Sequence, residues 1–146
     1  MLKNFNFEPD KKGRIMLNIT KTIEYALIAL RHINNRSGDI CTSKEIASSY
    51  NIPKELLAKI LQKLCKQKYL SAIQGPNGGY LLNKNLSNIN LIDFIESIEG
   101  PVGLAKCSID SDCDLLDICN IKQPINKINT NIRNTLSKIS LYELTL

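Results

Sequence analysis

Two amphipathic stretches separated by a two-residue break constrain this chain more than any other feature. The first runs from about Ser43 to Tyr50 and the second from Pro53 to about Lys68. Thr42 is placed to cap the first, and Glu45, three residues on, completes a capping-box pattern. Pro53 suits the first position of a helix, where its missing N–H is no loss. In the second stretch Leu56, Leu57, Ile60, Leu61 and Leu64 recur at helical spacing, while Lys54, Lys59, Gln62, Lys63, Lys66 and Lys68 fall on the other side. Two helices joined by so tight a turn, the second basic on its outer face, read as a helix-turn-helix.

The segment that follows strengthens that reading. "YLSAIQ" and "GGYLLNK" are short apolar and aromatic runs around "GPNGG" at 75–79. Pro-Asn-Gly-Gly is strong turn chemistry, so a β-hairpin is expected, and a hairpin directly after a helix-turn-helix is a wing. Ahead of the pair, Ile19, Ile23, Ala26, Leu27, Leu30 and Ile33 predict a first helix ending near Asn34, before "NNRSGD". Behind it, "NLIDFIESIEG" predicts a short amphipathic helix closed by Gly100-Pro101. A last helix carries Ile121, Ile125, Ile128, Ile132, Leu136 and Ile139 in a narrow stripe, the pattern of a two-helix seam. The same stripe could instead cover its own domain; its length and narrowness favour a dimer.

The predicted fold class is mainly α with a small β-wing: a winged helix-turn-helix domain plus a long C-terminal dimerisation helix. The expected divisions are an irregular arm over 1–15, the winged domain over 16–101, a cysteine loop over 102–120, and the dimerisation helix and tail over 121–146. Charge is uneven along these parts. Residues 16–70 hold nine Lys/Arg against four Asp/Glu, whereas residues 71–146 hold six against eight. A basic front half suits a polyanion, most simply nucleic acid; a solvated surface with surplus Lys is the plainer alternative. No apolar run approaches the ~20 residues that span a bilayer. The polar start "MLKNFNFEPDKKGRI" lacks the apolar core of a signal peptide. A cytoplasmic protein is therefore expected, where thiols stay reduced and act as ligands or core residues.

Five cysteines are present, three of them in "AKCSIDSDCDLLDIC" (105–119). Cys107, Cys113 and Cys119 are separated by five residues each, which suggests a metal centre short of one ligand. A structural zinc site would ordinarily show tighter pairs such as Cys-x2-Cys. Cys41 and Cys65, lying among the DNA-facing elements, read as small buried hydrophobes.

Taken together, "TKTIEYALIAL" (20–30), "IPKELLAKILQKLCKQKYL" (52–70), "GPNGGYLL" (75–82), "DFIESIEGP" (93–101) and the three spaced cysteines resemble the Rrf2 family of winged-helix regulators. That family includes IscR-like and NsrR-like iron–sulfur members, and the likeness spans roughly residues 16–146. It implies a homodimer on promoter DNA whose affinity changes with an iron–sulfur cluster on Cys107, Cys113 and Cys119. IscR-like members place a His ligand where this chain has Lys122, and a protonated Lys cannot ligate iron. NsrR-like members take a carboxylate from the first helix, and Glu24 stands at that position. Glu24 is thus the expected fourth ligand, reaching across from the second subunit, with an ordinary first-turn acid as the alternative. The single His, His32, is a lesser candidate. A carboxylate is a harder and more displaceable partner for cluster iron than thiolate. That leans towards 4Fe–4S rather than 2Fe–2S, and towards nitric oxide or oxygen as the signal.

By position, the second helix of the pair should present Pro53, Lys54, Glu55, Ala58 and Lys59 to base edges, with Lys63 and Lys66 nearer phosphates. Ser43 and Lys44 would meet the backbone at a helix N-terminus. The wing would contribute Gln74, Gly75 and Asn77. Family wings commonly carry Arg before Gly-Pro, so Gln74 removes a charge and should weaken the wing's hold on a narrow groove. No catalytic constellation accompanies the lone His, and no phosphate-cradling Gly loop is present, so an enzyme is not expected. Two other readings stay open: a cluster-free or zinc-bound dimeric DNA-binding regulator, and an iron–sulfur electron-transfer protein. The latter would need neither the basic helix nor the wing.

Overall fold

The computed structural model describes residues 19–36, 38–105, 108–109 and 114–146. The expected arm over 1–15 lies outside them. Six helices and one hairpin make up the described chain: α1 (Lys21–Asn35), α2 (Ser43–Tyr50), α3 (Lys54–Lys66), β1 (Leu70–Ile73), β2 (Gly79–Leu82), α4 (Leu91–Glu99), α5 (Lys122–Ser137) and α6 (Leu141–Leu144). A 3-10 turn, Leu86–Asn88, links the hairpin to α4.

Local chemistry fixes the ends of these helices. Thr20 caps α1, accepting the Ile23 N–H, so Ile19 falls outside the helix and stays exposed rather than joining its apolar stripe. Thr42 accepts the Glu45 N–H, as the capping pattern predicts. The Glu45 carboxylate does not return to close the box but turns to Arg36 and His32. Asn51 then takes a left-handed conformation (φ 53°), and Ile52 N–H reaches back to the Ala47 carbonyl. Ile52 is thereby buried beneath the turn. Pro53 sits at the cap of α3, one place earlier than its expected position inside the helix. α3 ends at Lys66 rather than Lys68 because Lys68 is left-handed (φ 62°). Tyr69 N–H bonds Leu64 O and Lys68 N–H bonds Cys65 O, the double closure of a Schellman motif.

Ile23, Ala26, Leu30 and Ile33 of α1 pack with Ile46 and Ala47 of α2 and Leu57, Ile60, Leu61 and Leu64 of α3 around one core, completed by Phe94 and Leu141. Leu56, expected inside, is only half-buried. β1 and β2 are antiparallel, with Leu70 opposite Leu82 and Ile73 opposite Gly79, which leaves residues 74–78 as the loop. Gly75 has φ +111°, a conformation that excludes most side chains. Gly79 is required differently: a Cβ there would lie 2.5 Å from the Cys41 carbonyl oxygen. That approach exists because Cys41 and Tyr80 exchange both backbone hydrogen bonds, making Cys41 a one-residue third strand beside the wing.

α5 differs from the other helices in having no buried residue. Ile128 is 48% exposed, and Ile121, at the cap rather than within the helix, 58%. Arg133 holds α5 to α4 by a forked contact with the Glu96 carboxylate, and donates also to the Val102 carbonyl. The helix stops at Ser137, two residues short of Ile139. The chain then doubles back, with Leu91 N–H on Ile139 O and Leu141 N–H on Ile89 O, both at 2.8 Å. Leu141 returns to the core fully buried.

Candidate nucleic-acid interface and metal centre

The helix pair and the wing each leave polar side chains in solvent. On α3 the buried Leu57, Ile60, Leu61 and Leu64 force Lys54, Glu55, Lys59, Lys63 and Lys66 outward, and all five are exposed. Ala58 lies among them half-covered, and Pro53 is exposed at the helix start. Ser43 and Lys44 open α2, where the first N–H groups are free for an anion. Gln74, Gly75 and Asn77 stand exposed on the wing loop. Lys59, Lys63 and Lys66 follow one another at helical spacing, so α3 offers a basic rail backed by rigid core packing.

The expected metal ligands are placed less fully. Cys107 and Cys113 lie outside the described residues. Cys119 is a free, half-buried thiol just before α5. Glu24 stands in the first turn of α1, its carboxylate 2.8 Å from Lys21 Nζ and 44% exposed. The Lys21 partner is itself largely in water, and Glu24 holds its ammonium pKa above the ordinary value. Such a carboxylate is accessible and can be handed to another cation. Of the expected ligands, the described residues thus offer one thiol, Cys119, and one harder carboxylate oxygen, Glu24, donor types that cluster iron accepts. Leu104 and Ser108, which stand on either side of Cys107 in sequence, both meet α5, Leu104 N–H on Asn129 Oδ1 and Ser108 Oγ on Asn126 Oδ1.

His32 turns to different company from Glu24. Its Nδ1 is 3.1 Å from Tyr50 Oη and its Nε2 3.3 Å from Glu45 Oε1, both on α2. Burial, helped by Arg36, pushes the imidazole below its usual range. Glu45 lies 3.3 Å from the ring, and its carboxylate is also engaged by Arg36. Cys41 is buried as expected while Cys65 is only half-buried, and burial pushes both thiols up. The His32–Glu45–Tyr50 group was not legible in the sequence, since its members sit 13 and 18 residues apart. Only the capping Glu45 gave a local hint of its own place.

A helix-turn-helix followed directly by a β-wing, with a basic face on its second helix, defines a winged-helix DNA-binding protein. The chain belongs to the Rrf2 family, described as iron-dependent transcriptional regulators, whose family model matches residues 19–145. It is 29% identical over 133 residues to the HTH-type transcriptional regulator NsrR of Bacillus licheniformis, covering 89% of this chain and 93% of that protein. Among solved structures it is similar to CymR (YrzC), the global cysteine regulator of B. subtilis. That match has a TM-score of 0.69 and 22% identity, covering 89% of this chain and 97% of that one. It is also similar to T. potens IscR, with a TM-score of 0.65 and 20% identity, covering 88% and 85%. These relatives are transcriptional regulators, so the chain is a regulator and not an enzyme. Among the described residues no helix is long and apolar enough to cross a membrane.

Proposed function

We propose that this protein is a homodimeric, iron–sulfur-dependent transcriptional regulator that binds promoter DNA through α3 and the wing, acting as a repressor in the cytoplasm. The observation that carries the reading is the pairing of the exposed lysine rail on α3 with Cys119 just ahead of α5 and with the contacts of Leu104 and Ser108 on that helix. Cys107, Cys113 and Cys119 would hold a cluster, with Glu24 of the second subunit as fourth ligand, and 4Fe–4S is favoured over 2Fe–2S. When bound, such a cluster supplies iron that a small molecule such as nitric oxide or oxygen can attack.

The chain's own residues supply the rest. Glu24 begins the helix whose buried face, Ile23, Ala26 and Leu30, packs on the helix-turn-helix, so a pull on Glu24 is felt by the DNA-binding unit. Asn126 and Asn129 hold Leu104 and Ser108, which flank Cys107 in sequence, to α5. The exposed Ile128 and half-exposed Ile125 and Ile132 supply an apolar face for a second α5. The test is the visible spectrum and the iron and sulfide content of anaerobically purified protein. Cys107→Ala, Cys113→Ala and Cys119→Ala should each bleach it, whereas Cys65→Ala should not. Glu24→Ala should retain some cluster but lose it faster under a fixed nitric-oxide dose. Full iron and sulfide in any of the three single cysteine variants refutes the cluster assignment and favours the cluster-free reading. A cluster-bearing protein that ignores promoter duplex would point to electron transfer.

A further inference from the structure

We propose that His32, Cys41 and Glu45 form a second metal site, separate from the cysteine loop, that takes a borderline divalent cation such as zinc and fastens the helix-turn-helix to the wing. The three residues come from three elements: His32 from the end of α1, Cys41 from the one-residue strand beside Tyr80, and Glu45 from the first turn of α2. One nitrogen, one sulfur and one carboxylate oxygen lie within 4.8 Å of one another. Around a tetrahedral zinc such atoms stand roughly 3.3–3.8 Å apart, given bonds of about 2.0 Å to N and O and 2.3 Å to S. His32 Nε2 and Glu45 Oε1 are already at 3.3 Å. Closing the rest asks for about 1 Å of side-chain movement, with a water free to take the fourth position.

Two further observations point to a ligand rather than an idle polar cluster. His32 has an outer hydrogen-bond partner on its other ring nitrogen, Tyr50 Oη at 3.1 Å from Nδ1, which holds the ring with Nε2 towards Glu45. The Cys41 thiol, on a residue only 1% exposed, donates a long hydrogen bond to the Asp39 carbonyl oxygen at 3.7 Å, which leaves the sulfur lone pairs for a cation. Arg36 holds Glu45 in the metal-free form, but its side chain is half in water and can release the carboxylate to an incoming cation. Binding would exchange the Cys41 thiol proton for the metal, the proton leaving to solvent. Because Cys41 exchanges both backbone bonds with Tyr80, the bound ion would join α1, α2 and β2 through single side chains.

The test uses the full chain carrying Cys107→Ala, Cys113→Ala and Cys119→Ala, so that its outcome is independent of the cluster reading, with cobalt(II) as the probe. One equivalent should bind per chain and produce a thiolate-to-cobalt charge-transfer band, and zinc should displace it. Adding Cys41→Ala should abolish the band. Since Cys41 is a core residue, Glu45→Gln and His32→Gln, at more accessible positions, repeat the test and should each weaken cobalt binding at least tenfold. Absence of the thiolate band, its survival in Cys41→Ala, or unchanged affinity in both Gln variants overturns the proposal.

Discussion

Replacing Lys66 by Ala should reduce the salt dependence of DNA binding by a calculable amount while leaving the fold intact. Lys66 is exposed in the last turn of α3 and makes no ion pair among the described residues, so the chief cost to folding is a lost cation near a helix C-terminus. That is worth at most about 1 kcal/mol at an exposed site. On DNA, each phosphate neutralised contributes about 0.9 to the slope of log K against log salt. A homodimer carries two copies of Lys66, so the slope should fall by about 1.8. Between about 50 mM and about 200 mM salt, a fourfold change, the wild-type advantage should therefore shrink by about 12-fold. Fluorescence anisotropy with a random duplex measures this directly, because a phosphate contact is blind to sequence. Parallel log–log lines for wild type and Lys66→Ala would place Lys66 off the backbone and refute the docking of α3. Lys59→Ala supplies the contrast: about 1–3 kcal/mol lost on the promoter duplex and less on random DNA, if it meets a base edge.

Three further perturbations probe the scaffold. Ile128→Glu puts a charge in the apolar face of α5 and should convert a dimer to monomer in sedimentation, with helical content retained. An unchanged dimer would move the seam elsewhere. Arg133 holds the Glu96 carboxyl below its usual range, against burial and with help from the Val102 N–H. A depressed carboxylate stabilises the fold above its ordinary pKa and loses that contribution as pH falls through the folded value. Acid unfolding of Glu96→Gln should accordingly be less steep below about pH 4.5, and curves parallel to wild type would contradict the ion pair. Leu141→Ala, at a fully buried position, should cost about 2–5 kcal/mol by urea denaturation. A loss below about 0.5 kcal/mol, the range of surface changes, would mean the tail is not docked.

Local signals carried most of the architecture. Thr42 and the leucine spacing of α3 gave the helix-turn-helix, and "GPNGG" gave the wing, because caps and turns are decided within a few residues. Three features were beyond that range. The stop of α3 at Lys68 rests on a left-handed lysine, which nothing in lysine's own preferences announces. The stripe through Ile139 read as one helix, although the chain turns at 138–140 to pair backbone with Ile89 and Leu91, about fifty residues away in sequence. The pairing of Cys41 with Tyr80 is equally non-local, and it alone explains why Gly79 tolerates no side chain. At the site, helical spacing marked the exposed lysines of α3. The partnership of His32 with Glu45 and Tyr50 had no sequence period to reveal it.

The return of residues 139–145 gives α5 the mechanics of a cantilever. Its base is clamped three ways, by Arg133 on Glu96, by the backbone pairs at 139–141, and by Leu141 seated in the core. Its outer half carries Leu104 and Ser108, on either side of Cys107 in sequence, on Asn129 and Asn126. With 16 residues the beam is about 24 Å long. A 2 Å shift at the tip, the scale of exchanging one ligand, then corresponds to a tilt of about 5° at the root. The root rests on α4, whose Phe94 stacks edge-on against Tyr69 at the foot of the wing. Clipping the chain after Ser137 should therefore do more than shorten it: the loop would keep its thiols, while the beam would lose the seat through which their movements reach the DNA-binding face.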